Sequence, residues 1–140
     1  MSDRKCARAL IEAARRDIEV LHLMLEHEGG SDEVFGVHVQ QAAEKLLKAR
    51  LAIEGVRFSV THDLESLAES FDPSGVDIRR LLEFTPFAVV HGYEALAGRS
   101  LPLERDRATA VLEDLSTLVS RMLAADPDSI APRVAQRGQR

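Results

Sequence analysis

The sequence lacks several features that mark specialised classes of protein. It has no tryptophan and a single cysteine, Cys6, which excludes an intramolecular disulfide and fits a reducing compartment. No apolar run approaches the ~18 residues that cross a bilayer. The charged start of the chain does not resemble a signal peptide. We therefore expect a cytoplasmic protein with no membrane association.

An excess of basic residues is also missing. The chain has 18 Lys and Arg against 23 Asp and Glu, a formal net charge of −5. Nucleic-acid binders usually carry a basic excess, because neutralising phosphates supplies much of their affinity. Any such role here requires a local basic group. With 45% hydrophobic residues in 140, the chain is typical of one folded domain rather than a disordered segment.

Apolar residues recur at steps of three and four, which predicts helices along the chain. The predicted helices carry stripes at residues 7–25 and 35–53, then a short helix begins at Thr61, and two more cover residues 77–96 and 104–124. Short loops join them. We predict an all-α fold, an antiparallel up-and-down bundle of four to five helices.

Residues typical of helix ends lie between these stripes. Gly29 and Gly30 are expected to end the first helix, because glycine adopts left-handed torsions without strain. Ser31 or Asp32 can cap the second helix, and Thr61 occupies the N-cap position of the third.

The common catalytic motifs do not occur. The sequence has no glycine-rich phosphate loop, CxxC pair, HExxH or GxSxG. A di-iron bundle needs two ExxH motifs, and this chain has one, from Glu19 to His22. We interpret that motif as a solvated pair at a helix edge. No metal site and no cofactor are predicted.

The stretch QQAAEKLLKA, residues 40–49, is more specific. Helical spacing places Gln41, Glu44, Lys45 and Lys48 on one side of the second helix. Glu44 and Lys48 are also an i,i+4 ion pair in the favourable order. The alternative interpretation is a surface stripe beside a seam of small residues.

The stretch THDL, residues 61–64, places His62 at the predicted first turn of the third helix. The helix dipole there disfavours an imidazolium, so a neutral ring would be available as a general base. The alternative is a histidine that only packs or hydrogen-bonds at a helix start.

The chain resembles the HEPN family in the stretch QQAAEKLLKARLAIEG and the THDL that follows it. The family is named for its occurrence in higher eukaryotes and prokaryotes and for its association with nucleotide binding. The resemblance covers roughly residues 7–123. It implies one HEPN-like helical domain over residues 1–125. Residues 126–140 contain two prolines, a glycine and three arginines with little to bury, which predicts a flexible basic tail. The resemblance also implies a homodimer that works beside a nucleotidyltransferase-type protein, often as a toxin–antitoxin pair. Active relatives are metal-independent ribonucleases with an Arg-x4-6-His motif.

The sequence departs from that catalytic motif. Gly92 stands where the family carries an arginine before a tyrosine, here Tyr93. Arg57 and His62 match the Arg-x4-6-His spacing at a different place in the chain. The candidate catalytic residues are Arg57, His62 and His91. The candidate nucleotide- or RNA-binding residues are Lys45, Lys48, Asp63 and Tyr93.

Three functions remain open at this point. The first is a dimeric module that associates with a nucleotide or RNA, with a degenerate catalytic motif. The second is a ribonuclease toxin with a histidine base and an arginine that holds the phosphate. The third is a bundle that serves only protein interaction.

Overall fold

The structure is a computed structural model that describes residues 3–58, 60–69, 71–82 and 105–125. These residues form helices and no strand, which confirms the predicted all-α fold. None of their helices is apolar over enough length to cross a membrane. The described helices are α1 (Arg4–His27), α2 (Asp32–Ile53), α3 (Leu64–Leu67), α4 (Ile78–Leu82) and α5 (Arg105–Ala124).

The helices α1 and α2 pack as an antiparallel pair. The backbone N–H of Asp3, at the start of α1, donates to the carbonyl of Ala52 near the end of α2 over 2.8 Å. The α1 stripe is buried as its spacing predicts, and α2 is buried on most of its circumference because α1, α3, α4 and α5 all contact it. The largest fully buried side chains of the core are Leu21, Phe35, Leu46, Leu47, Leu64, Leu81, Leu112 and Leu115.

The helix α5 runs antiparallel to α1. The Arg105 guanidinium at its start donates to the carbonyl of Gly29, just past the end of α1. Further along, Arg15 of α1 donates to the Ser120 hydroxyl. These contacts place α5 along the second half of α1, from Arg15 to the turn that follows it, so α1 lies antiparallel to both α2 and α5.

The turn between α1 and α2 differs in one detail from the prediction. Glu28 takes the first left-handed conformation, with φ 52°, and Gly30 follows with φ 78°. The residue that ends α1 in a left-handed conformation is therefore Glu28, one position before the predicted Gly29. Ser31 is the N-cap of α2, and its hydroxyl accepts from the Val34 N–H over 3.2 Å.

The N-cap of α3 is Asp63, so the prediction of Thr61 is wrong. The Asp63 carboxylate accepts from the Glu65 N–H over 3.2 Å. The Thr61 hydroxyl accepts from the Asp63 N–H over 3.1 Å, a local turn that competes with its use as a cap. His62 consequently lies before a helix of only four residues. The dipole argument for a neutral His62 does not hold.

Some predictions concern other parts of the chain. The remainder of the fourth predicted helix, with His91, Gly92 and Tyr93, lies outside the described residues. The predicted tail over residues 126–140 also lies outside them. The roles assigned there stay predictions.

Candidate functional site

Glu44 is the centre of a polar cluster on the side of α2 that faces the loop before α3. Although its residue is only 9% exposed, its carboxylate accepts from Lys48 Nζ over 2.8 Å and from Gln40 Nε2 over 2.8 Å. The ring Nδ1 of His62 lies 2.9 Å from the same carboxylate. We call Gln40, Glu44, Lys48 and His62 the Glu44 cluster. The predicted Glu44–Lys48 ion pair is confirmed, and the surface-stripe alternative is wrong for Glu44.

Two opposing effects set the pKa of Glu44. Burial raises it, because a low-dielectric environment disfavours the charged carboxylate. Hydrogen bonds from Lys48, His62 and Gln40, together with the charge of Lys48, lower it. The second effect is larger, so the pKa lies below the ordinary value of 4.5 and Glu44 is ionised at neutral pH.

His62 is held from two sides while its ring stays exposed. Gln40 Nε2 donates to the His62 carbonyl over 3.2 Å, and Glu44 binds the ring at Nδ1. The side chain remains 60% exposed. Because a carboxylate lies at Nδ1, that nitrogen carries a proton, and Nε2 of the neutral ring is the acceptor.

A second buried carboxylate, Asp17, belongs to α1 and contacts α2. Asp17 of α1 is 7% exposed, and its oxygens contact Lys45 Nζ at 2.6 Å and His38 Nδ1 at 3.0 Å. We call these three residues the Asp17 cluster. It ties α1 to α2 by an ion pair in addition to apolar packing.

Asp17 and His38 are not among the residues predicted from the sequence, although the sequence contains a signal for each. Asp17 falls between Ala14 and Ile18 on the buried stripe of α1, where an acid is unexpected. A buried charge requires a partner from another element. His38 lies seven residues before Lys45, two helical turns away on the same face of α2.

The two clusters border an open cavity of about 360 Å³ between α2 and the loop before α3. We call it the α2 cavity. Its lining combines one ammonium, one carboxylate, one imidazole, two amides and one apolar side chain, from Val37, Gln40, Gln41, Glu44, Lys45 and His62. The volume lies within the range of small-ligand sites. Donors and acceptors of this kind suit a polar, anionic ligand.

The structure brings together only some of the predicted site residues. Lys45 and His62 line the α2 cavity, whereas Arg57 lines a different cavity with Cys6. Arg57 and His62 therefore do not form one site despite their spacing. Burial, and then the charge of Asp3, raise the pKa of the Cys6 thiol, which disfavours a reactive thiolate.

Two of the other predicted binding residues, Lys48 and Asp63, have structural partners. Lys48 is 16% exposed, binds Glu44 and lies 5.8 Å from the centre of the Phe58 ring. Asp63 caps α3. Lys48 thus binds Glu44, which lines the α2 cavity, and Asp63 caps the helix that follows His62.

The ExxH motif of α1 contacts another helix. His22 Nε2 contacts the Glu113 carboxylate of α5, and both side chains are half exposed. Within the described ranges, no group of three or more His, Cys, Asp or Glu side chains is arranged to hold a metal ion.

Comparison with known proteins identifies a family. Residues 7–121 match the HEPN domain, which is most of the chain and includes most of α1, all of α2 and the residues around the α2 cavity. Neither the curated proteins nor the solved structures gave a match. On the strength of that match, the chain belongs to the HEPN domain family.

Proposed function

We propose that this HEPN protein binds a nucleotide or RNA in the α2 cavity, as a homodimer that works with a nucleotidyltransferase-type partner. The observation that carries the proposal is the convergence of Lys45 and His62 on one open cavity. They come from different elements, and each is fixed by a buried carboxylate.

The lining suits a phosphate group with a base or sugar attached. Lys45 offers ammonium hydrogens to phosphate oxygens, and His62 adds a ring nitrogen beside it. The Gln41 amide can both donate and accept, as recognition of a base edge or a ribose hydroxyl requires, whereas the Gln40 Nε2 hydrogens already go to Glu44 and to the His62 carbonyl. A local group of this kind is compatible with the acidic net charge of the chain.

The partner and dimer parts of the proposal follow from the family resemblance. The QxAEKxxKA core and the HDL that follows are typical of HEPN proteins encoded with a nucleotidyltransferase, often as toxin and antitoxin. We propose the same arrangement for this chain. Co-expression with a tagged nucleotidyltransferase-type partner, followed by co-purification, tests it; separation of the two proteins at micromolar concentration would contradict it.

Binding is tested with two charge-reversal variants. Lys45→Glu is expected to weaken binding of a fluorescent single-stranded RNA at least tenfold, because it places a carboxylate at the cavity. Lys5→Glu is the matched control, since Lys5 is exposed at the start of α1 and makes the same charge change. Competition by uridine monophosphate measures whether a single nucleotide suffices. Equal losses in the two variants would contradict a site at the cavity.

A second function has one observation in its favour, the Glu44–His62 contact. A carboxylate that orients a histidine leaves Nε2 free to accept the proton of a ribose 2′-hydroxyl. The 2′-oxygen would then attack phosphorus, and the 5′-oxygen would leave and take a proton from water. Lys45, rather than Arg57, would contact the phosphate, because Lys45 lines the cavity. The products would be a 2′,3′-cyclic phosphate and a 5′-hydroxyl.

RNA cleavage in EDTA distinguishes this ribonuclease from a binding module. Activity lost in His62→Ala and retained in His27→Ala would support it, since His27 is an exposed histidine near the end of α1. His91→Ala belongs in the same series because the sequence also makes His91 a candidate. Absence of cleavage together with RNA binding supports the binding module. Absence of both favours a bundle that serves only protein interaction.

A further inference from the structure

The two clusters beside the α2 cavity share one chemical plan. In each, a buried carboxylate binds one lysine ammonium and the Nδ1 atom of one histidine. Glu44 binds Lys48 and His62. Asp17 binds Lys45 and His38.

This arrangement makes the net charge of the two clusters depend on the protonation of His38 and His62. With both histidines neutral, each carboxylate cancels one lysine, so the two clusters together carry no net charge. Protonation of one histidine adds one positive charge, and protonation of both adds two. The remaining lining residues of the cavity, Val37, Gln40 and Gln41, are uncharged.

Each histidine acts on the cavity by a different route. His62 lines it together with Glu44 and Lys45 of α2, Lys48 binds the same Glu44 carboxylate, and Asp63 is next in the chain. His38 shares the Asp17 carboxylate of α1 with Lys45. When His38 is protonated, Asp17 has two cations to balance, so less of its charge cancels that of Lys45.

We propose that the α2 cavity is a proton-linked site for a phosphodiester anion, whose affinity rises as His38 and His62 take up protons. The inference rests on the proposed function and names the condition under which the site binds. Imidazole is the side chain whose charge changes most readily between pH 5 and 8, so a modest fall from neutral pH is the condition that would change the charge of the site. By linkage, the bound anion in turn increases proton uptake by the two rings.

The test uses a probe whose own charge is constant. A 2′-O-methyl tetrauridylate with hydroxyl ends and a rhodamine label contains only phosphodiesters and cannot be cleaved through the 2′-oxygen. We expect it to bind the full-length protein about tenfold more tightly at pH 5.5 than at pH 8.0. The single variants His38→Gln and His62→Gln are each expected to bind the probe only about threefold more tightly at pH 5.5 than at pH 8.0. The double variant is expected to bind it equally at both pH values. His27→Gln, the exposed control, retains the full pH dependence.

A measurement on the unaltered protein complements the variants, since His38 is partly buried. Proton NMR titration of the five histidine rings should show two midpoints that rise when the probe is added at saturation. Equal affinity at both pH values, full dependence in both single variants, or unchanged midpoints would each overturn the inference while leaving the binding site in place. No binding at either pH would overturn the proposed function as well.

Discussion

Glu44 organises the site because three side chains share its carboxylate. Lys48 and Gln40 donate to it, and His62 contacts it from the loop before α3. Since the residue is buried, these donors replace water that Glu44 has lost. The position of His62 at the cavity therefore depends on the Glu44 carboxylate of α2.

Removing the charge of Glu44 should destabilise the fold. For Glu44→Gln we expect a loss of about 2 kcal/mol in the free energy of unfolding, because partly buried Lys48 loses its counter-charge. Urea unfolding at pH 7 measures it. The control is Glu113→Gln, an exposed carboxylate that also contacts a histidine, for which the loss should stay below about 0.5 kcal/mol. Equal losses would contradict the assigned role of Glu44.

The lowered pKa of Glu44 also makes stability depend on pH. The folded chain holds the pKa below the unfolded value of 4.5, so the stabilisation is fully present above that pH. It is lost as the pH falls through the folded pKa, where both states become protonated. The difference in unfolding free energy between wild type and Glu44→Gln should therefore shrink in acid below pH 4.5. A difference that stays constant between pH 7 and the acid range would contradict it.

At the residue scale, the sequence predicts contacts within one helix better than contacts between helices. The Glu44–Lys48 pair follows from i,i+4 spacing alone. The contact of Glu44 with His62 and that of Asp17 with Lys45 depend on how separate elements pack. Spacing alone misleads for Arg57. Its distance in sequence from His62 matches a motif, but the fold places Arg57 at a different cavity.

At the scale of elements, Arg105 fixes the turn between α1 and α2. Its guanidinium donates to the carbonyls of Gly29 and Gly30 and to the Asp32 carboxylate, and it lies 4.9 Å from the centre of the Phe35 ring. One side chain of α5 thus satisfies backbone acceptors of the turn that follows α1.

Replacing this guanidinium by an ammonium should weaken the turn. Arg105→Lys keeps the charge but loses the planar fork that reaches several acceptors, so we expect a loss of about 2 kcal/mol in unfolding free energy. Chemical denaturation measures it. Arg107→Lys, at an exposed position of α5, should change stability by less than about 0.5 kcal/mol. If both variants are as stable as wild type, Arg105 does not fix the turn.

The long helices were predictable because each carries a continuous apolar stripe, as in α1, α2 and α5. The start of α3 was not, because Thr61 and Asp63 are both good capping residues and lie two positions apart. Local chemistry left two choices there. The tertiary structure selected Asp63 and left Thr61 in a preceding turn.

At the scale of the whole molecule, the described bundle has one α2 cavity per chain, and the family resemblance implies two chains. A homodimer would join two such cavities in one particle and allow one RNA to contact both. We expect light scattering at micromolar concentration to give about twice the 15.5 kDa mass of one chain. A strict monomer would remove the dimer from the proposal and leave a single-cavity protein.

Binding of the ligand in the α2 cavity can be located by amide NMR titration of the labelled protein with a short single-stranded RNA. We predict the largest shift changes at residues 37–45 and 61–63, with saturation that is lost in Lys45→Glu. Changes confined to the cavity around Arg57, or to the groove that Ala68, Phe71 and Ile78 line between α3 and α4, would contradict it.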